Sequence, residues 1–76
     1  MQIETHDAKK VISIALGVDD VEIPNNASIG NFKRWDSLGH FKIVLQLEST
    51  IRRSLQTDEV LSIVDIPSIQ KILNTS

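Results

Sequence analysis

The segment DSLGHFKIVLQLESTIRRSL, residues 36–55, decides the fold of this chain. It contains no proline, and its single glycine, Gly39, falls in the first turn. We therefore predict one continuous helix that begins at Asp36–Ser37 and runs to about Leu55. At about 100° per residue, one side of this helix collects Ile43, Val44, Leu47, Ile51 and Leu55. This side is predicted to face the core.

A second apolar stripe, formed by Leu38, Phe41 and Leu45, lies on a neighbouring face of the same helix. The apolar surface of the helix is therefore wider than one core contact requires. Two interpretations are open, and both can hold in part. Either the long loop before the helix covers this stripe, or the stripe is a docking patch for other proteins.

An amphipathic helix is predicted before this segment, from about Thr5 to Leu16. Its apolar side has helical spacing and consists of Ala8, Val11, Ile12, Ala15 and Leu16. Thr5 is the expected N-cap, and Gly17 is placed to end the helix in a left-handed conformation.

The connection between these two helices, residues 18–36, is rich in turn formers and keeps no helical period. A connection of about 19 residues is long for a compact domain. Apolar residues recur along it, and each is expected to pin the loop onto the core: Val21, Ile23, Ile29, Phe32 and Trp35. We therefore predict an ordered, wrapped loop.

Two further helices are predicted after residue 55. Thr57-Asp58-Glu59 has the character of a cap with acidic residues, opening a short helix through Ser62. A final helix is expected to begin around Pro67, with one apolar side made of Ile66, Ile69, Ile72 and Leu73. The predicted fold is all-α, a small four-helix bundle of three principal helices and one short helix, within a single domain over residues 1–76.

Composition limits the possible functions. A chain of 76 residues has a small core, which argues against a deep catalytic cavity. Eight basic and 10 acidic residues give a net charge of −2, so no global field favours nucleic acid. The chain has no cysteine, and its two histidines, His6 and His40, are too few for a metal site by themselves. Without a membrane-length apolar run or a signal-peptide core, we expect a soluble, cytoplasmic protein. We also expect a monomer, with neither nucleic acid nor membrane as a partner.

Ser37 stands where the decisive helix begins. Asp and Ser are favoured N-caps, so this pair before an apolar helix is by itself a weak signal. Its setting is more specific, since it follows a long ordered loop and precedes a helix with two apolar stripes. The N-terminus of a helix suits a phosphate group. His40 falls on the core arc, so it is expected to be packed rather than to act as a base toward Ser37.

The residues around Ser37 resemble the phosphopantetheine attachment region of acyl carrier proteins in the run Trp35-Asp36-Ser37-Leu38 and, further on, in Phe41, Ile43, Val44, Leu45 and Leu47-Glu48. The order of the elements is similar over nearly the whole chain. The resemblance implies a carrier without enzymatic activity, in which Ser37 holds 4′-phosphopantetheine through a phosphodiester. Asp36 is then a flanking helix cap or a transferase contact. The implied partners are a phosphopantetheinyl transferase and acyl-loading and acyl-transferring enzymes.

The chain departs from the carriers of fatty acid synthesis in charge. Arg34 stands where those carriers often have glycine, and Gly39 stands where they commonly have an acidic residue. Residues 37–55 hold three basic residues against Glu48 alone, and Lys33 and Arg34 precede them. The run is more similar to discrete carriers of specialised pathways, such as polysaccharide decoration or secondary metabolism. The residues predicted to dock partners are Leu38, Phe41, Leu45, Lys42 and Arg34.

Three alternative hypotheses compete with the carrier, and the sequence argues against the second and the third. A degenerate carrier or helical interaction domain would share the fold and differ only at Ser37. A DNA-binding domain would use the basic residues, but a connection of about 19 residues does not suit a helix-turn-helix unit. A stand-alone enzyme lacks a visible acid–base pair, metal set or activated nucleophile.

Overall fold

The computed structural model describes residues 6–75, which form four α-helices and one short 3-10 turn. The helices are α1 (His6–Leu16), α2 (Ser37–Ile51), α3 (Thr57–Ser62) and α4 (Ile66–Thr75), and the 3-10 turn spans Asp20–Glu22. Within this part of the chain there is no β-strand, and Ser28 and Asp65 form an isolated bridge. The predicted all-α bundle of three principal helices and one short helix is confirmed.

The core lies where α1, α2 and α4 meet, since α1 packs against both other helices and α2 contacts α4. Its helical residues are Ala8, Val11, Ile12 and Leu16 from α1, Ile43, Val44 and Leu47 from α2, and Ile66, Ile69 and Ile72 from α4. The predicted core side of α2 is confirmed, with Ile51 and Leu55 partly buried at its edge.

The end of α1 follows the sequence prediction. Gly17 has a φ of 69°, and its N–H bonds to the Ser13 carbonyl oxygen at 2.9 Å. Glycine adopts this left-handed backbone without steric strain, which explains the stop. The N-cap predicted at Thr5 lies outside the described residues.

The long loop is tied to the bundle at several points. Ile23 and Trp35 are buried as predicted, and Phe32 packs partly buried against the core. The backbone N–H of Ile29 also donates to the Val64 carbonyl oxygen at 2.9 Å, which joins the loop to the connection between α3 and α4. The loop is therefore wrapped onto the domain.

Two of the predicted loop anchors are wrong. Val21 is 87% exposed because it lies in the solvent-facing 3-10 turn, and Ile29 is 41% exposed although its backbone is bonded. Ala27 is fully buried instead. The small side chain of Ala27 fits where the loop backbone lies close to the core. The spacing of the larger apolar residues in the loop does not predict this burial.

Helix α2 ends at Ile51, four residues before the predicted end at Leu55. Arg52 takes a left-handed conformation with a φ of 60°, and its N–H donates to the Glu48 carbonyl oxygen at 2.8 Å. The Glu48 carboxylate accepts from the Leu55 N–H at 2.7 Å, which stabilises the turned chain. An arginine in this cap position gives no helix-stop signal in the sequence, because the usual residue is glycine.

Helix α3 begins at Thr57, but its cap is Gln56 rather than the predicted Thr57. The Gln56 N–H donates to Glu59 Oε1 at 3.1 Å. The Arg53 guanidinium also pairs with Glu59, at 3.0 and 2.9 Å to its two carboxylate oxygens. Hydrogen bonding to Arg53, and then to the Gln56 backbone, lowers the pKa of Glu59 from 4.5 to about 2.

Helix α4 begins one residue before the predicted Pro67. Asp65 Oδ1 accepts from the Ser68 N–H at 3.0 Å, and Ser68 Oγ accepts from the Asp65 N–H at 3.1 Å. This reciprocal pair satisfies backbone donors at the helix start. Pro67 therefore occupies the second helical position, where its missing N–H removes no helical hydrogen bond.

Candidate functional site

The start of α2 presents Ser37 to solvent. Asp36 is the N-cap, since its Oδ1 accepts from the Gly39 N–H at 2.8 Å and its carbonyl oxygen accepts from the His40 N–H at 2.7 Å. Of the two roles predicted for Asp36, the structure shows the helix cap, and the transferase contact stays a prediction. Ser37 is the first helical residue and is exposed, and its hydroxyl has no hydrogen-bond partner among residues 6–75. The hydroxyl is therefore sterically accessible to a modifying enzyme.

Trp35 and His40 join the loop to the first turns of α2, on either side of Ser37. The Trp35 side chain is buried, and its Nε1 donates to His40 Nδ1 at 3.0 Å. The two ring planes are nearly parallel, at an angle of 18°, with centroids 6.4 Å apart. His40 is partly buried, which confirms the predicted packed role. His40 Nδ1 accepts the hydrogen bond from Trp35, so this nitrogen is not free to accept the proton of the Ser37 hydroxyl.

Gly39 lets the loop cross close to α2. It is buried, and a Cβ added to it would clash with the Arg34 carbonyl oxygen. The same Cβ would also lie 3.0 Å from Leu16 Cδ2 and 3.3 Å from Asp36 Oδ1. An acidic side chain at this position would require the loop to move. The departure from fatty acid carriers at Gly39 therefore has a steric cause in this chain.

A cleft of about 290 Å³ opens beside Ser37, between the loop, the end of α1 and the first turns of α2. We call it the basic cleft, and it is lined by Leu16, Lys33, Arg34, Asp36, Leu38, Gly39 and Lys42. Three of these side chains are cationic and one is a carboxylate. Arg34 Nη2 donates to the Leu16 carbonyl oxygen at 3.1 Å, which holds the guanidinium at the cleft wall.

The structure brings several predicted site residues together at this cleft. Arg34, Asp36, Leu38 and Lys42 all line it. Lys33 lines it too, although the sequence shows it only as a basic residue before the helix. The sequence shows that Lys33 directly precedes Arg34. Adjacency in a loop does not predict that both side chains line the same cleft.

Leu38, Phe41 and Leu45 form an exposed apolar row on α2. Their exposed fractions are 62%, 58% and 49%. The interpretation that the long loop covers this stripe is therefore wrong, because the loop packs on the other side of the helix through Trp35. The row begins beside Ser37 and is free in the described part of the chain.

A second cleft, of about 450 Å³, lies at the far end of α2, lined by Asp7, Lys10, Val11, Ile14, Thr50, Ile51, Leu73 and Asn74. It holds one acidic and one basic side chain and no other titratable group. The residues described by the structure contain no group of three or more side chains able to hold a metal ion. The candidate site is therefore the region of Ser37.

The chain matches no protein-family model and no curated protein sequence. In residues 6–75, no helix is long and apolar enough to cross a membrane. The likeness to acyl carrier proteins consequently rests on the residues around Ser37 and on the order of the helices.

Proposed function

We propose that this chain is an acyl carrier protein that holds an acyl or aminoacyl group as a thioester on a 4′-phosphopantetheine arm attached to Ser37. The observation that carries the proposal is the free, exposed Ser37 hydroxyl at the first residue of α2, directly after the capping Asp36. The proposal includes a cytoplasmic, monomeric protein that is not itself an enzyme.

The residues around Ser37 fit the proposed arm. Ser37 is exposed, and the basic cleft, which its two sequence neighbours line, holds three cationic side chains that suit an anionic phosphodiester. The partial positive charge of a helix N-terminus adds to this field. When bound, the group supplies the thiol that carries the cargo, which the cysteine-free chain lacks.

The chain's own part in attachment is to present the nucleophile. Asp36 holds the first turn of α2 through the Gly39 N–H, and the Trp35–His40 pair holds the loop that enters it. Since His40 Nδ1 accepts from Trp35, we assign proton removal from Ser37 to the transferase.

The exposed apolar row supports docking of partner enzymes beside the arm. Leu38, Phe41 and Leu45 offer apolar anchors, while Arg34 and Lys42 provide a basic rim. Apolar anchors usually contribute most of the binding energy of an interface, and rim charges mainly steer association. The proposed partners are a phosphopantetheinyl transferase and the loading and transferring enzymes of a specialised pathway, with acidic rather than basic docking surfaces.

The test is intact-mass measurement after incubation with coenzyme A, Mg²⁺ and a broad-specificity phosphopantetheinyl transferase. We expect the mass to rise by one phosphopantetheine group, and Ser37→Ala to abolish the gain. Ser49→Ala is a matched control, because Ser49 is exposed on the same helix and should not affect modification. An unmodified wild-type chain across several transferases would refute the carrier proposal and favour a degenerate carrier that keeps only the docking row.

A further inference from the structure

The basic cleft holds three cationic side chains, Lys33, Arg34 and Lys42, which attachment of the arm to Ser37 does not by itself require. We propose that it binds the phosphodiester of the arm and holds the base of the arm on the Lys33–Lys42 side of α2. This inference rests on the proposed function, because the phosphodiester is the one that links the arm to Ser37. It concerns what the chain does with the arm after attachment.

The basic cleft lies close to the attachment point along the chain. Asp36 and Leu38, the two sequence neighbours of Ser37, both line it, while Ser37 itself does not. Lys33 reaches it from the loop and Lys42 from α2. A phosphodiester carries a negative charge at neutral pH, and hydrogen bonds from ammonium groups to phosphate oxygens are among the stronger ones in proteins.

Lys33 and Lys42 are both available to bind an anion. Both are exposed, and in residues 6–75 neither forms an ion pair. Lys9, in contrast, donates to the Asn25 side chain, and Arg53 pairs with Glu59. Lys33 and Lys42 line the same cleft, where like charges repel each other, and an anion bound between them would remove that repulsion.

Arg34 and Asp36 have fixed roles in the cleft wall. One guanidinium N–H of Arg34 donates to the Leu16 carbonyl oxygen, which leaves other donors of the planar group for a phosphate. Asp36 is the one acidic group in the lining, and its Oδ1 is engaged by the Gly39 N–H. The cations outnumber it, so the cleft favours an anion.

The experiment compares apo and fully modified protein, with conversion verified by intact mass. Two-dimensional ¹H–¹⁵N spectra report on the backbone and side chains of Lys33, Arg34 and Lys42. Thermal unfolding is measured for the wild type, for Lys33→Gln/Lys42→Gln, and for the control Lys10→Gln/Lys71→Gln. The control removes the same charge from exposed sites outside the cleft.

We expect modification to shift the resonances of the three cleft cations more than those of Lys10 and Lys71. We also expect it to raise the Tm of the wild type and the control by about 2–5 °C at low salt. The gain should shrink as salt screens the charges, and it should be absent in Lys33→Gln/Lys42→Gln.

Complete modification with equal shifts at cleft and control lysines, or with the same Tm gain in both variants, would overturn this inference and leave the carrier function standing. Slower modification of the cleft variant with an unchanged Tm gain would also overturn it, because the cleft would then contact the transferase. Absence of any mass gain in the wild type would overturn the carrier proposal, and this inference with it.

Discussion

The carbonyl oxygen of Arg34 lies against the α-carbon of Gly39, so closely that a methyl group on Gly39 would clash with it. This contact brings the loop onto the first turn of α2 and closes one wall of the basic cleft. In an ordinary helix, replacing glycine with alanine stabilises by about 0.5–1 kcal/mol. At Gly39 the contact with the Arg34 carbonyl oxygen makes the same replacement destabilising.

Gly39→Ala should therefore destabilise the domain by about 1–3 kcal/mol, as overpacking does elsewhere. The measurement is urea denaturation followed by circular dichroism. A stabilised Gly39→Ala variant would show that the loop moves away from α2 easily, and the close contact would then have no energetic importance.

The two apolar faces of α2 should respond differently to truncation. Leu47 is fully buried, so Leu47→Ala should cost about 2–5 kcal/mol of unfolding free energy. Leu45 is 49% exposed, and Leu45→Ala should cost under about 1 kcal/mol. The pair differs only in face, which makes each variant the control of the other. Equal losses would show that the apolar row belongs to the core.

Partner transfer should depend on Phe41 more than on the charges around it. Phe41→Ala should lower transfer to the cognate enzyme at least tenfold with little change in melting temperature, because an exposed aromatic side chain anchors the interface. An unfolded Phe41→Ala variant would contradict the docking role.

Lys42→Glu should act mainly on the association rate with the cognate partner, and the effect should fade as salt is raised. The same reversal should not harm transfer to a fatty acid synthesis enzyme that accepts acidic carriers. Stopped-flow association at low and high salt provides the measurement. Unchanged rates with both partners at low salt would make Lys42 a solvated side chain without a docking role.

The Arg53–Glu59 pair makes the start of α3 sensitive to acid. Because the pKa of Glu59 is about 2 in the folded chain and near 4.5 ordinarily, its carboxylate stabilises the fold above about pH 4.5. That contribution should be lost as the pH falls from about 4.5 toward 2. Glu59→Gln should therefore lower the free energy of unfolding at pH 7. At pH 2 the variant and the wild type should differ less in this free energy, because Glu59 is then partly protonated in the wild type. A pH-independent difference in urea midpoints would contradict this role.

The spacing of apolar residues determined the helices and the core side of α2 from the sequence alone. Ile43 and Leu47 are buried where their period placed them, and Gly17 ends α1 in the predicted conformation. Local chemistry sufficed in these cases, because helical period and a glycine at a positive φ are properties of neighbouring residues. The cap role of Asp36 before Ser37 was accessible for the same reason.

Tertiary structure alone decided which surfaces stay open and which loop residues anchor. The exposure of Phe41 and the burial of Ala27 depend on how distant segments pack. The early end of α2 at Ile51 is instead set by local hydrogen bonds of Arg52 and Leu55 to Glu48, which the helical period does not record. Likewise, Lys33 and Lys42 share one cleft because the loop crosses α2 at Gly39. A one-dimensional pattern records the periodicity of each segment, but not the contacts between segments far apart in the chain, and those contacts shape the surface around Ser37.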